Sequence, residues 1–114
     1  MIVIHGLKNC DTCKKARKWA EQEGLEHSFH DVRADGLTAE MIDKWLGQVS
    51  WELLLNRRGT TWRGLDEAVK ASVDASQARD LMLEHPALIK RPVFDHDGTV
   101  SVGFTDAVKQ GLKG

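Results

Sequence analysis

No run of apolar residues in this sequence approaches the roughly 18 that a membrane span requires. The opening stretch MIVIHGLKN also lacks the basic start and small-residue cleavage site of a signal peptide. The expectation is a cytoplasmic chain with no membrane partner. Cysteine is scarce: Cys10 and Cys13 are the only two. Without a secretion signal they are not expected to form a structural staple, because cytosolic thiols are held reduced. There is no second CxxC and no spaced pair of histidines, so no four-ligand zinc site, and no other metal site, is expected. A charge excess of either sign is missing as well. Sixteen Lys and Arg against seventeen Asp and Glu leave a formal net charge of −1, which argues against a nucleic-acid partner. No internal repeat, low-complexity tract or linker interrupts the 114 residues, which suffice for one compact domain and are too few for two of usual size.

What the sequence does contain is a sequence of elements. Ile2 to His5, bounded by Gly6, reads as a buried strand. From Asp11 to about Gln22, Cys13, Ala16 and Ala20 recur at helical spacing, and Gly24 supplies a stop. LEHSFHDVR, residues 25–33, suits a second strand, which completes a right-handed parallel βαβ unit. Thr38 can cap a helix whose apolar face is Met41, Ile42, Trp45 and Leu46, and Trp51, Leu54 and Leu55 suggest a short second segment. NRRGTTWRGL, residues 56–65, is expected to be a polar loop. A further helix from about Ser76 must end by His85, ahead of Pro86. Two β runs then flank Asp95-His96-Asp97-Gly98, a hairpin turn, and Thr105 can cap a last helix. With CxxC where the first strand meets the first helix, this order predicts an α/β, thioredoxin-like fold.

Position separates the two cysteines. A thiol attacks only as thiolate, and the unpaired N–H groups and positive dipole end at a helix start favour that anion. Cys10 lies in the loop leading into the helix, with Lys8, Lys14 and Lys15 nearby, so it is the expected catalytic nucleophile. Thr12 and the backbone N–H groups of the first turn would stabilise it. Cys13, one turn inside, is either a resolving thiol that closes a disulfide on Cys10 or a small buried hydrophobe. His5 could reach Cys10 from the strand, or simply pack. Arg57, Arg58, Arg63 and Arg91 flank turns, and Arg91 precedes Pro92, where a cis peptide can occur. Grouped arginines beside a thiolate suit an anionic substrate.

HGLKNCDTCKKARKWAE, LLNRRGTTWRGL and HPALIKRPVF, in that order and spanning nearly the whole chain, are similar to the three signature segments of the ArsC/Spx/YffB family, most of all to its YffB-type members. The resemblance implies one thioredoxin-like domain over residues 1–114, with a mixed four-stranded sheet and a helical insertion at about 36–88. It implies Cys10 as nucleophile, Arg91 in an anion site and Pro92 as a cis-proline facing the nucleophile, while the position of Cys13 varies across the family. ArsC arsenate reductases surround the nucleophile with an arginine triad. Its first member aligns near Asn56, so Arg57 or Arg58 would have to substitute, and its third falls near Gly103-Phe104, where no arginine stands. An arsenate transition state would lose part of its charge neutralisation. The expected activity is therefore that of a monomeric glutathione-dependent thiol reductase, with glutathione as co-substrate and no tightly bound cofactor. Lys8, Thr12, Lys14, Arg57, Arg58, Arg91 and Pro92 form the expected anion site. Two alternatives are a Spx-like redox regulator that binds RNA polymerase and a glutathione-coupled arsenate reductase. The absence of a basic extension beyond the last helix ranks the Spx-like reading lower.

Overall fold

The computed structural model describes residues 1–113, and its chain divides into two compact units. The first comprises Met1–Gly36 and the chain from Arg91 onward. Strand β1 (Ile2–Gly6) pairs in parallel with β2 (His27–Asp31) and antiparallel with β3 (Val93–His96), which pairs antiparallel with β4 (Thr99–Val102). The sheet order β2-β1-β3-β4 is the mixed, thioredoxin-like arrangement the element order implied. Helix α1 (Asp11–Gln22) crosses between the parallel strands and turns Cys13, Ala16 and Ala20 inward. The two alanines let it approach Ile2, Ile4 and Phe94 closely, and Leu112 of α7 (Asp106–Lys113) closes the cluster. Each isoleucine so buried contributes about 1.5–3 kcal/mol. Trp19 meets Phe104 edge-on at a centroid distance of 5.8 Å on the rim of this core.

Turn chemistry sets the ends of these elements. Asp97 and Gly98 both take positive φ, 53° and 95°, as a two-residue hairpin of the type I′ kind requires. Asp95 Oδ1 accepts the Gly98 N–H at 2.8 Å. Thr105 accepts the Val108 N–H at 3.2 Å and starts α7. Strand β2 is shorter than the expected 25–33. The Asp31 carboxylate accepts the N–H groups of Arg33 and Ala34, both at 2.8 Å, and turns the chain out of the sheet.

The second unit, Leu37–Lys90, is helical. Helix α2 (Ala39–Leu46) starts where Thr38 accepts the Met41 N–H at 3.2 Å, and it buries Ile42 and Trp45. α3 (Trp51–Leu54) follows, and α6 (Ala75–Glu84) starts at the cap Asp74, just before the expected Ser76. Asp43 of α2 takes a two-pronged contact from Arg79 of α6, with Nε–Oδ1 at 2.6 Å and Nη2–Oδ2 at 3.2 Å. Two expectations need correction here. Residues 56–65 are not all loop: α4 (Thr60–Arg63) occupies one turn, so Arg63 is the last residue of a helix, directly before the turn at Gly64. α5 (Glu67–Ser72) was not foreseen either. Neither helix buries a residue, and such short segments leave no apolar periodicity to read. A 3₁₀ turn at Pro86–Leu88 ends the unit's last helix. No helix among the described residues is long and apolar enough to cross a membrane.

Candidate functional site

The candidate site is built where β1 and β2 end and α1 begins. Cys10 is the N-cap residue of α1, with extended backbone angles, and its carbonyl accepts the Lys14 N–H at 3.0 Å. No side-chain oxygen caps this helix end, and among its first-turn N–H groups that of Cys13 meets the Cys10 sulfur. The loop that presents Cys10 is fixed at two points: the Cys10 N–H donates to Leu7 O at 3.1 Å, and the Lys8 N–H donates to Asp31 Oδ2 at 3.0 Å. Asp31, only 5 % exposed, therefore ties the Cys10 loop to the end of the neighbouring strand. Its carboxyl is held below the usual range, chiefly by the Ala34 N–H. Burial opposes this, and the Lys8 and Arg33 N–H groups and the Lys8 charge reinforce it.

A cavity of about 370 Å³ opens beside the Cys10 sulfur, lined by Leu7, Lys8, Asn9, Cys10, Asp31, Arg33, Ala34 and Arg91. Burial is the largest single influence on the Cys10 thiol and pushes it upward, but the opposing contacts win. The Cys13 backbone N–H and thiol donate to the Cys10 sulfur, and the Arg91 guanidinium adds its charge and a hydrogen bond, so the thiol lies below its ordinary value. Cys13 goes the other way. It is fully buried, and burial, together with the Cys10 sulfur beside it, pushes its thiol up to about 11, against a lowering hydrogen bond from the Leu7 backbone and the Arg91 charge. The surroundings drive the two sulfurs apart, Cys10 toward the thiolate and Cys13 toward the protonated thiol. Replacing Arg91 by Gln is expected to raise the pH midpoint of Cys10 alkylation by about 1. An unchanged midpoint would take Arg91 out of the thiolate's surroundings.

Of the residues expected to form the anion site, Lys8 and Arg91 line this cavity with Cys10, whereas Thr12, Lys14 and Pro92 do not. Thr12 is the second residue of α1, with an exposed side chain. Lys14 lies about 6 Å beyond Cys10 along the helix axis and faces a surface groove with Arg17, Lys18, Glu21 and His27. Pro92 is fully buried behind a cis Arg91–Pro92 peptide, its carbonyl accepting the Gly103 N–H at 2.9 Å. His5 is buried, with Nδ1 3.2 Å from Val93 O and the ring 5.4 Å from that of His30.

Arg57 and Arg58 belong to the second unit. There an isolated bridge pairs Leu55 with Ile89, the Asn56 N–H donates to Leu88 O and the Lys90 N–H to Leu54 O, both at 2.7 Å. Together with Glu52, Leu53, Leu55, Asn56 and Lys90, the two arginines line a cleft of about 300 Å³. The Arg57 guanidinium sits 6.0 Å from the Trp51 ring centroid, and the Arg58 N–H donates to Asn56 Oδ1 at 3.1 Å.

Sequence reasoning missed Asp31 and Arg33 as site residues. The pattern DVRAD after an apolar alternation carried a signal, since an aspartate followed two and three residues later by free N–H groups is a turn former. That signal locates a turn, however, and says nothing of the Lys8 N–H 23 positions away.

The fold is shared with known proteins. The ArsC family profile matches residues 5–110. An uncharacterized protein of Haemophilus influenzae is 46% identical over 106 residues, 93% of each chain. Among solved structures, a protein called YFFB is 42% identical with a TM-score of 0.91, covering 98% of both chains. An arsenate reductase (ArsC) related protein from Brucella melitensis is 51% identical with a TM-score of 0.80, over 96% of this chain and 92% of its own. The chain belongs to the ArsC family.

Proposed function

We propose that the protein is a small glutathione-dependent thiol-disulfide oxidoreductase in which Cys10 is the nucleophile. The observation that carries this reading is the Cys10 sulfur at the start of a twelve-residue helix, with Arg91 and the Cys13 N–H and thiol directed at it. Around it, Lys8, Arg33 and Arg91 line the cavity with one acidic residue, and the oxygens of that residue, Asp31, are occupied by backbone N–H groups. An anionic thiol compound is the ligand such a lining favours. In the first step the Cys10 thiolate attacks the glutathione sulfur of a mixed disulfide, forming Cys10–S–S–glutathione and expelling the other sulfur as a thiolate. In the second, a free glutathione thiolate attacks the glutathione sulfur of that adduct. Glutathione disulfide forms, and Cys10 leaves as thiolate again. Electrons balance, because the net change exchanges one disulfide for another: the mixed disulfide and one glutathione thiol become glutathione disulfide and the released substrate thiol.

Mass spectrometry after exposure to oxidised glutathione tests this. One glutathione on Cys10 and none on Cys13 is the expected product. A Cys10–Cys13 disulfide as the main product would replace the external thiol by an internal one, and an unmodified Cys10 would remove the proposal altogether.

A further inference from the structure

Gly6, the last residue of β1, lies directly against Cys13 of α1. A Cβ added at Gly6 would stand 2.3 Å from Cys13 Sγ and 3.4 Å from Cys13 Cβ, with Phe29 Cε1 at 3.6 Å. The backbone there is not in the positive-φ region, so conformation makes no demand for glycine at this position. The demand is steric: the Cys13 sulfur occupies the volume that a side chain at position 6 would fill. We propose that Gly6 is a positioning residue, whose missing side chain seats the buried Cys13 thiol so that it donates a fixed hydrogen bond to the Cys10 sulfur. This rests on the reading of Cys10 as the reactive thiolate.

The seat leaves Cys13 little choice. In a helix a side chain near χ1 +60° collides with the preceding turn, so any displacement of Sγ carries it to another well and away from its present partners. A methyl group at position 6 must therefore either evict the sulfur or push the end of β1 from the helix. The other charged groups lining the cavity with Cys10 are Lys8 from the loop, Asp31 and Arg33 at and just after the end of β2, and Arg91 ahead of β3, while Asp11 stands in the first turn of α1. None of them is substituted by the change, and the comparison with Cys13→Ala separates an evicted sulfur from a displaced strand.

Four proteins decide the matter: wild type, Gly6→Ala, Cys13→Ala and the double variant, each measured for the pH midpoint of iodoacetamide alkylation at Cys10 and for Tm. Gly6→Ala and Cys13→Ala should raise the midpoint by a similar amount, about 0.5 or more. The double variant should add nothing beyond Cys13→Ala, and Gly6→Ala should cost less Tm once the sulfur is gone. A wild-type midpoint in Gly6→Ala while Cys13→Ala shifts, or Tm losses that simply add, overturns the proposal. If Gly6→Ala does not fold, the double variant decides: recovery of folding supports the seat, and continued failure overturns it. A wild-type Cys10 with the midpoint of an ordinary thiol would sink the thiolate reading, while the Tm cycle still tests the seat.

Discussion

Cys10→Ser is expected to lower glutathione-coupled disulfide turnover by at least about a thousandfold, because a serine hydroxyl neither ionises near neutral pH nor forms an exchangeable bond to sulfur. Cys13 cannot take over. It is fully buried, and with its thiol at about 11 its thiolate fraction at pH 7 is on the order of one part in ten thousand. Cys13→Ala should accordingly keep turnover within about tenfold of wild type, the loss reflecting a less stabilised Cys10 thiolate. The pair of variants separates two mechanisms. If an external thiol resolves the adduct, the two substitutions differ by about two orders of magnitude or more. If Cys13 resolves it, both collapse turnover. Steady-state rates on a glutathionylated peptide distinguish these outcomes, and equal collapse would refute the one-cysteine scheme.

The positions legible in the sequence are set by neighbours close in the chain. Cys10 needs only to precede a helix, Thr38 and Thr105 only to lie three residues before an N–H, and Asp97-Gly98 only to tolerate positive φ. Arg91 beside Cys10 lies much further away in sequence, and it was legible because the family resemblance supplied what local spacing could not. Where a role depends on packing between distant segments, local rules fail. Gly6 reads as a strand terminator, yet its steric role is set by a sulfur seven residues on and across the interface between strand and helix. Lys14 reads as part of the thiolate's field because it is near in sequence, but the rise of the helix carries it to a groove with Arg17 and Lys18. The net charge near the cysteines was informative in sum and misleading residue by residue, since helical geometry decides which cations share the cavity.

Asp31→Ala is expected to destabilise the protein by about 3 kcal/mol, a fall in Tm on the order of 10 °C for a chain of this size. The side chain accepts three backbone N–H groups, from Lys8 at 3.0 Å and from Arg33 and Ala34 at 2.8 Å each, and alanine leaves all three without their acceptor. Asp31→Asn should recover part of the loss. Its one carbonyl oxygen can still serve Arg33 and Ala34, but its amide then meets the Lys8 N–H donor to donor. The pH dependence has a definite sign. The folded carboxyl titrates below its unfolded value, so its stabilisation is present above the unfolded pKa, about 3.9, and is lost as pH falls through the lower folded value. The stability gap between wild type and Asp31→Ala should therefore be full at pH 7 and narrow below about pH 4. Because the carboxylate lines the cavity beside Cys10, Asp31→Asn removes a like charge and should also lower the pH midpoint of Cys10 alkylation while the protein stays folded. Thermal melts from pH 7 to pH 3 and alkylation profiles of the asparagine variant check the two halves. A gap that does not narrow in acid would detach the stabilisation from the carboxylate, and a midpoint that does not fall would detach the Asp31 charge from the thiolate.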